Sequence, residues 1–110
     1  DVLLCPVMPI PAYPHSDLPV FARSYSGAGI NEFGLAEVSF WPLIIIIADL
    51  PSTVVPVGCT PAGLPCGMQV VASNFHDLTS IEVGKMLEQV HPQCRWSPPP
   101  GFGLMPTSSL

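Results

Sequence analysis

Residues 50–71 read LPSTVVPVGCTPAGLPCGMQVV, and this stretch decides the fold. Ser52 to Val57 is mostly β-branched or apolar, and Met68 to Val71 is a second run of that kind. Such residues pack well on a pleated surface, so both runs are expected as strands. Between them Pro61-Ala62-Gly63 is a turn signal, because proline presets φ and glycine accepts a positive one. The simplest reading is a β-hairpin with a loop of about five or six residues. Apolar residues on both faces suggest a strand inside a sheet, covered on both sides. Pro56 brings no ladder donor, which places it at a bulge or beside an unpaired edge.

Working outward, Val2-Leu3-Leu4-Cys5 reads as a buried strand ending at Pro6. Residues 8–19 are proline-rich and without periodicity, hence loop or extended chain. Ser24 to Gly29 is small and flexible. Residues 32–48 give conflicting signals: Ile44 to Ile47 favour strand, and Pro42 would break a helix interior. Downstream, Val83, Met86, Leu87 and Val90 recur at i, i+3, i+4, i+7, which predicts a helix over 78–90 with one apolar face. Asp77 is the expected N-cap. Glu82 and Lys85 form an i,i+3 pair on the other side, and His91-Pro92 ends the helix. No internal repeat and no second domain are visible.

Hydrophobic residues make up 48% of the 110 and charged residues only 10%, against about a quarter in ordinary domains. A small domain has a large surface and normally covers it with charge. Much of this surface is therefore expected to lie against something else, either the rest of a larger fold or a second copy. The net charge is −5, with Arg23, Lys85 and Arg95 as the fixed cations. That excludes a nucleic-acid footprint, which needs clustered Lys and Arg, and an anionic membrane surface. The longest apolar run, Phe40 to Ala48, is too short to span a bilayer. Nothing at the start resembles a signal segment; the chain opens in a strand-like run, as if cut from a longer one.

Cys5, Cys59, Cys66 and Cys94 form no C-x-x-C pair, and His15, His76 and His91 stand at no zinc spacing, so no metal is expected. Cys59 and Cys66 flank the hairpin loop. A disulfide there, as in a small secreted protein, is the alternative to free buried thiols, which the pattern favours. Free thiols point to a cytoplasmic location.

LPSTVVPVG, then TPAGLP, then GMQVV closely resembles the C-terminal region of the amidase signature family. Asp1 to Pro11 (DVLLCPVMPIP) is similar to that family's strand with a D-x-L-L-x-P pattern. Phe40-Trp41 stands at the spacing many bacterial members show. His76 to Ser80, the helix to Leu87-Glu88, and Pro98 to Phe102 resemble the family's ending. The resemblance covers most of residues 1–102 and is weakest between Leu18 and Ser39. It implies an α/β fold: a C-terminal fragment of the amidase signature fold with about three strands (2–7, 52–58, 67–72) and two helices (32–48, 78–90). The first strand would lie beside the hairpin, with the last helix packed on the sheet. Residues 1–102 would be the C-terminal portion of an amidase domain and 103–110 a flexible tail. The family ends the earlier helix with glycine where this chain has Asp49. Glycine suits the left-handed conformation of a helix end, and an aspartate there repels the negative end of the helix dipole.

The resemblance also implies a chemistry. Amidase signature enzymes hydrolyse amides with a serine nucleophile, a second serine in a cis peptide, and a lysine. A serine hydroxyl is a weak nucleophile without an adjacent base, and the oxyanion needs backbone donors. In the family these residues precede the segment that this chain resembles. The chain's one lysine, Lys85, lies on a polar helix face. Ser24 to Gly29 is the nearest imitation of the family's Gly- and Ser-rich segment, and it is read as structural. No catalytic residue, cofactor or metal is therefore expected here. The chain reads as part of an enzyme that cleaves carbon–nitrogen bonds of a small amide when intact, and inactive alone. The alternative is a non-catalytic interaction module, a degenerate relative that binds a partner or itself; the isoleucine run and Asp49 favour that reading.

Other constellations have bland readings. His15-Ser16-Asp17 are consecutive, and a working triad needs its groups placed around one another, so they read as loop polarity. His91 and Cys94 stand at i,i+3, but Pro92 breaks the spacing. Gln69, inside an apolar strand, reads as a buried amide that satisfies backbone groups. By resemblance Phe40 and Trp41 are the candidate substrate-binding residues, near the acyl side of the cleft; core packing is the bland reading, and the residues themselves favour it.

Overall fold

The computed structural model describes residues 1–27 and 30–90. Among them lie strands β1 (Leu3–Pro6), β2 (Tyr25–Gly27) and β3 (Ile30–Phe33), helices α1 (Leu35–Val38) and α2 (Phe40–Ile47), strands β4 (Ser52–Cys59) and β5 (Pro65–Val71), and helix α3 (Asp77–Val90). The expected tail at 103–110, Pro98 to Phe102, and the His91–Cys94 pair lie outside the described residues.

The main sheet is antiparallel with order β1-β5-β4, so the first strand does lie beside the hairpin. Leu4 pairs with Val70 and Thr53 pairs with the same residue from the other side. The hairpin loop is Thr60 to Leu64. Gly63 takes φ +80° and donates its N–H to the Thr60 carbonyl (2.8 Å), the turn that Pro61 and Gly63 forecast. The register shifts between Pro56 and Gly58, and β4 is an edge strand, so Pro56 sits both at a bulge and on an edge.

Both sheet faces are covered near β5. On one face Cys5 and Val71 meet Ile45 of α2, with Trp41 and Leu50 packed against them. On the other, α3 crosses β4 at two small residues. Ser80 and Gly84 are its buried positions, and a Cβ on Gly84 would stand 3.0 Å from Val55 Cγ1. A larger residue would hold the helix off the sheet.

The single helix expected over 32–48 is replaced by strand, short helix and longer helix. Ile30–Phe33 pairs with Tyr25–Gly27 as a second, two-stranded sheet, a hairpin the sequence reading missed. Proline explains the break between α1 and α2. A ring at Pro42 clashes with the carbonyl four residues back, Val38, and offers it no N–H; α1 ends at Val38. Pro42 then falls in the first turn of α2, where the missing donor costs nothing. Ile10, Tyr25 and Val38 form a second buried cluster with Met8, Phe33 and Leu35 around them.

Helix α2 ends as a Schellman motif. Asp49 adopts φ 52°, its N–H donates to Ile46 O (3.1 Å), and the Leu50 N–H donates to Ile45 O (3.2 Å). Asparagine or glycine is the usual occupant of such a position, and aspartate is tolerated. At the start of α3, Asp77 is the first helical residue and not the cap. The His76 carbonyl accepts from the Thr79 and Ser80 N–H groups. Of the four residues expected on the apolar face of α3, Val83 and Leu87 are half-buried while Met86 and Val90 are exposed.

Asp49→Gly relieves the left-handed strain and removes a carboxylate from the helix C-terminus. These gains outweigh the greater freedom of glycine in the unfolded chain, and a stabilisation of about 0.5–1 kcal/mol is expected. The urea midpoint of the full chain measures it.

Candidate functional site

Gln69 lies at the middle of the central strand and is buried. Its Nε2 donates to the Pro6 carbonyl (3.0 Å), and its Oε1 accepts from the Ser52 hydroxyl (3.0 Å). One amide thus reaches the strands on both sides, which is the backbone- and strand-satisfying role expected of a buried amide. The structural reading of Gln69 holds. A buried hydroxyl pair missed in the sequence joins α3 to β4. Ser80 Oγ donates to the Asp77 carbonyl (2.8 Å) and stands 2.8 Å from Thr53 Oγ1. Because the Ser80 proton is engaged, Thr53 is the donor between them. A serine at a sheet-facing helix position, beside the small Gly84, is the signal that would have found it.

Trp41 is half-buried against Cys5, Ile45 and Val71. Phe40 is 51% exposed. The two rings meet edge-on, with centroids 5.3 Å apart and planes at 79°, the arrangement that their quadrupoles favour. The structure thus packs Trp41 into the core and leaves Phe40 outside. Neither lines any of the three grooves described next.

The first groove, about 310 Å³, runs between Val7–Ala12 and Pro65–Gly67. A second, about 270 Å³, lies at the end of α2 beside Asp49, Asn74 and Asp77. The third, about 240 Å³, gathers His15, Ser16, Arg23, Ser24 and Ser26 between Tyr13 and Tyr25. His15, Ser16 and Asp17 form no relay: Ser16 Oγ accepts from the Leu18 N–H (3.3 Å).

Lys85 pairs with Glu82 at 2.6 Å on an exposed face of α3, the i,i+3 pair expected. Among the described residues no serine hydroxyl is hydrogen-bonded to a lysine or histidine, and no group of acidic, His and Cys side chains has metal-binding geometry. Cys5, Cys59 and Cys66 are free. Cys66 pairs with Gly58 and Cys59 with Pro65, so the two thiols point to opposite faces and no bridge forms. Of the three only Cys5 is buried, and burial pushes its thiol pKa up, which keeps it protonated and inert.

The sequence profile of the family described as Amidase matches residues 1–80. The chain belongs to the amidase family. It is similar to a chloroplastic/mitochondrial glutamyl-tRNA(Gln) amidotransferase subunit of Vitis vinifera, with 28% identity over 107 residues. That alignment covers 90% of this chain and 17% of the relative. It is also similar to the corresponding glutamyl-tRNA(Gln) amidotransferase subunit of Myxococcus xanthus, with 28% identity over 100 residues, covering 90% of this chain and 18% of that protein. The same subunit of Nitratidesulfovibrio vulgaris is 28% identical over 93 residues, 84% of this chain and 17% of its own length. The chain therefore spans less than a fifth of the length of these amidase relatives. No helix among the described residues is long and apolar enough to cross a membrane.

Replacing Gln69 by leucine would leave the Pro6 carbonyl and the Ser52 hydroxyl without their partner. A loss of about 1–3 kcal/mol is expected, read from the urea midpoint, with faster amide hydrogen exchange in β1 than elsewhere in the sheet.

Proposed function

We propose that this chain is the C-terminal part of an amidase signature hydrolase, and that it cleaves carbon–nitrogen amide bonds only together with the remainder of that fold. The observation that carries the proposal is helix α2. Its sheet side holds Ile45 and Trp41, while Phe40, Leu43, Ile44 and Ile47 form a stripe at i, i+3, i+4, i+7 that is 45–82% exposed. A helix apolar all round belongs in an interior.

In this reading the serine nucleophile, the second serine and the lysine come from the rest of the fold. Lys85 is engaged with Glu82 on a solvated face, a poor position for a base that must reach a nucleophile. Phe40 and Trp41 form one wall of the acyl side of the cleft, Phe40 by contact with substrate and Trp41 by holding Phe40 edge-on. The substrate is a small amide, and the partner is the remainder of the amidase fold or a second copy. With Arg23 and Lys85 far apart in sequence and a net charge of −5, this part of the enzyme does not itself hold a nucleic acid. The location proposed is cytoplasmic. The relatives' names describe one subunit of an amidotransferase, which favours a further reading in which the amide cleaved is that of a nitrogen donor. A binding module without catalysis remains the competing class, and the same apolar stripe would serve it.

Hydrolysis of simple aryl amides, read as release of the arylamine, decides between them. The purified chain is expected to show none above the blank, and a longer polypeptide that supplies the serines and lysine is expected to hydrolyse them, with KM raised several-fold by Phe40→Ala. Hydrolysis by the 110-residue chain alone, abolished by changing one of its own serines, would overturn the proposal. Inactivity of the longer polypeptide would favour the binding module.

A further inference from the structure

The groove at Tyr13–Ser26 has a chemistry that neither the hairpin nor the amidase reading uses. It brings together one guanidinium, one imidazole, three serine hydroxyls and two tyrosine rings around about 240 Å³. Arg23 is the only arginine among the described residues of an acidic chain, and it is half-buried here. Its Nε donates to the Leu18 carbonyl at 2.8 Å. That bond fixes the plane of the guanidinium. Among the described residues no acceptor is hydrogen-bonded to its Nη groups, so that edge of the fork is left for a ligand.

The frame around Arg23 is rigid for a loop. Ala22 N–H closes a turn onto the Pro19 carbonyl (2.8 Å), Leu18 N–H is held by Ser16 Oγ (3.3 Å), and Tyr25 is buried with its ring edge-on to Tyr13 at 4.6 Å. A planar fork with a fixed plane suits a planar oxyanion, because two parallel N–H groups match two carboxylate oxygens. Serine hydroxyls donate to the remaining lone pairs, and His15 offers an N–H whatever its protonation. Asp17, the nearby carboxylate of the loop, does not line the groove. The tyrosine rings supply an apolar wall.

We infer that this groove binds a small organic carboxylate, held two-pronged by Arg23 with the serines of Ser24 to Ser26 beside it, and with an aromatic or aliphatic body against Tyr13. The site stands on the loop's own side chains and is independent of the amidase reading.

The test is a titration of the full chain with sodium benzoate at constant ionic strength, followed by amide and arginine Nε–H NMR shifts, with inorganic phosphate and chloride in parallel arms. Saturable shifts at Ser16, Arg23, Ser24 and Tyr25 are expected, at least ten-fold weaker for Arg23→Gln and stronger for benzoate than for phosphate. Because Arg23→Gln also loses the bond to Leu18, Ser26→Glu serves as the second variant. Ser26 is exposed, and a glutamate there puts a competing carboxylate in the groove. Ser26→Glu is expected to keep the spectrum of the folded chain and to lose benzoate binding. Shifts that fail to saturate, that persist unchanged in Ser26→Glu, or that are matched by chloride would overturn the inference. Tighter binding of phosphate than of benzoate would overturn the assignment to carboxylates.

Discussion

The buried amide of Gln69 is the constraint on which the sheet depends. Its two ends need two partners, and inside a sheet face they can come only from the neighbouring strands. The amide takes the Pro6 carbonyl on one side and the Ser52 hydroxyl on the other. Both bonds form only if β1 and β4 flank β5 in the observed register. A slip of one residue would turn the amide to the other face and leave it unpaired. The register in turn sends Cys5 and Val71 toward α2 and Thr53 and Val55 toward α3. One polar group thus orders an otherwise permissive set of valines and leucines.

The two helices use that sheet in opposite ways. Helix α3 comes close because Ser80 and Gly84 are small, and the Ser80 hydroxyl is satisfied within the contact. Its outer face carries Glu82, Lys85 and Glu88, charge enough to meet water. Helix α2 packs through Trp41 and Ile45 and carries no charge at all, so its outer stripe remains apolar. Packing explains why one helix is finished and the other is not. The proposed role rests on that difference: in it, α2 is a core helix whose outer stripe packs against the remainder of the fold.

The sequence made the hairpin legible because proline and glycine act locally. Pro56 and Pro61 restrict the backbone and Gly63 frees it for a positive φ; these effects need no tertiary context, and each residue lies where its effect is used. The amphipathic stretch of α3 was legible for the same reason, although Met86 and Val90 show that periodicity marks an apolar stripe without saying how much of it is covered. Residues 32–48 were not legible. Four isoleucines favour strand by propensity, yet packing against Cys5 and Val71 makes Phe40–Ile47 a helix, and Pro42 divides what the family resemblance suggested was one element. The β2–β3 hairpin carries only a short, Gly- and Ser-rich signal, and its Tyr25 is buried with Ile10 and Val38, which lie outside it. For the candidate site the residue types were visible, but not that Trp41 would turn inward and Phe40 outward. The groove around Arg23 was invisible, because it depends on a loop folding back over several residues.

The central claim is that the outer stripe of α2 is an interior surface. Fluorescence of an apolar-surface dye on the full chain, compared with a Leu43→Glu/Ile47→Glu variant of unchanged secondary structure, tests it most directly. Strong dye binding that the double variant loses is the result expected. A chain that binds no dye, or that binds it equally with both glutamates in place, would contradict the account.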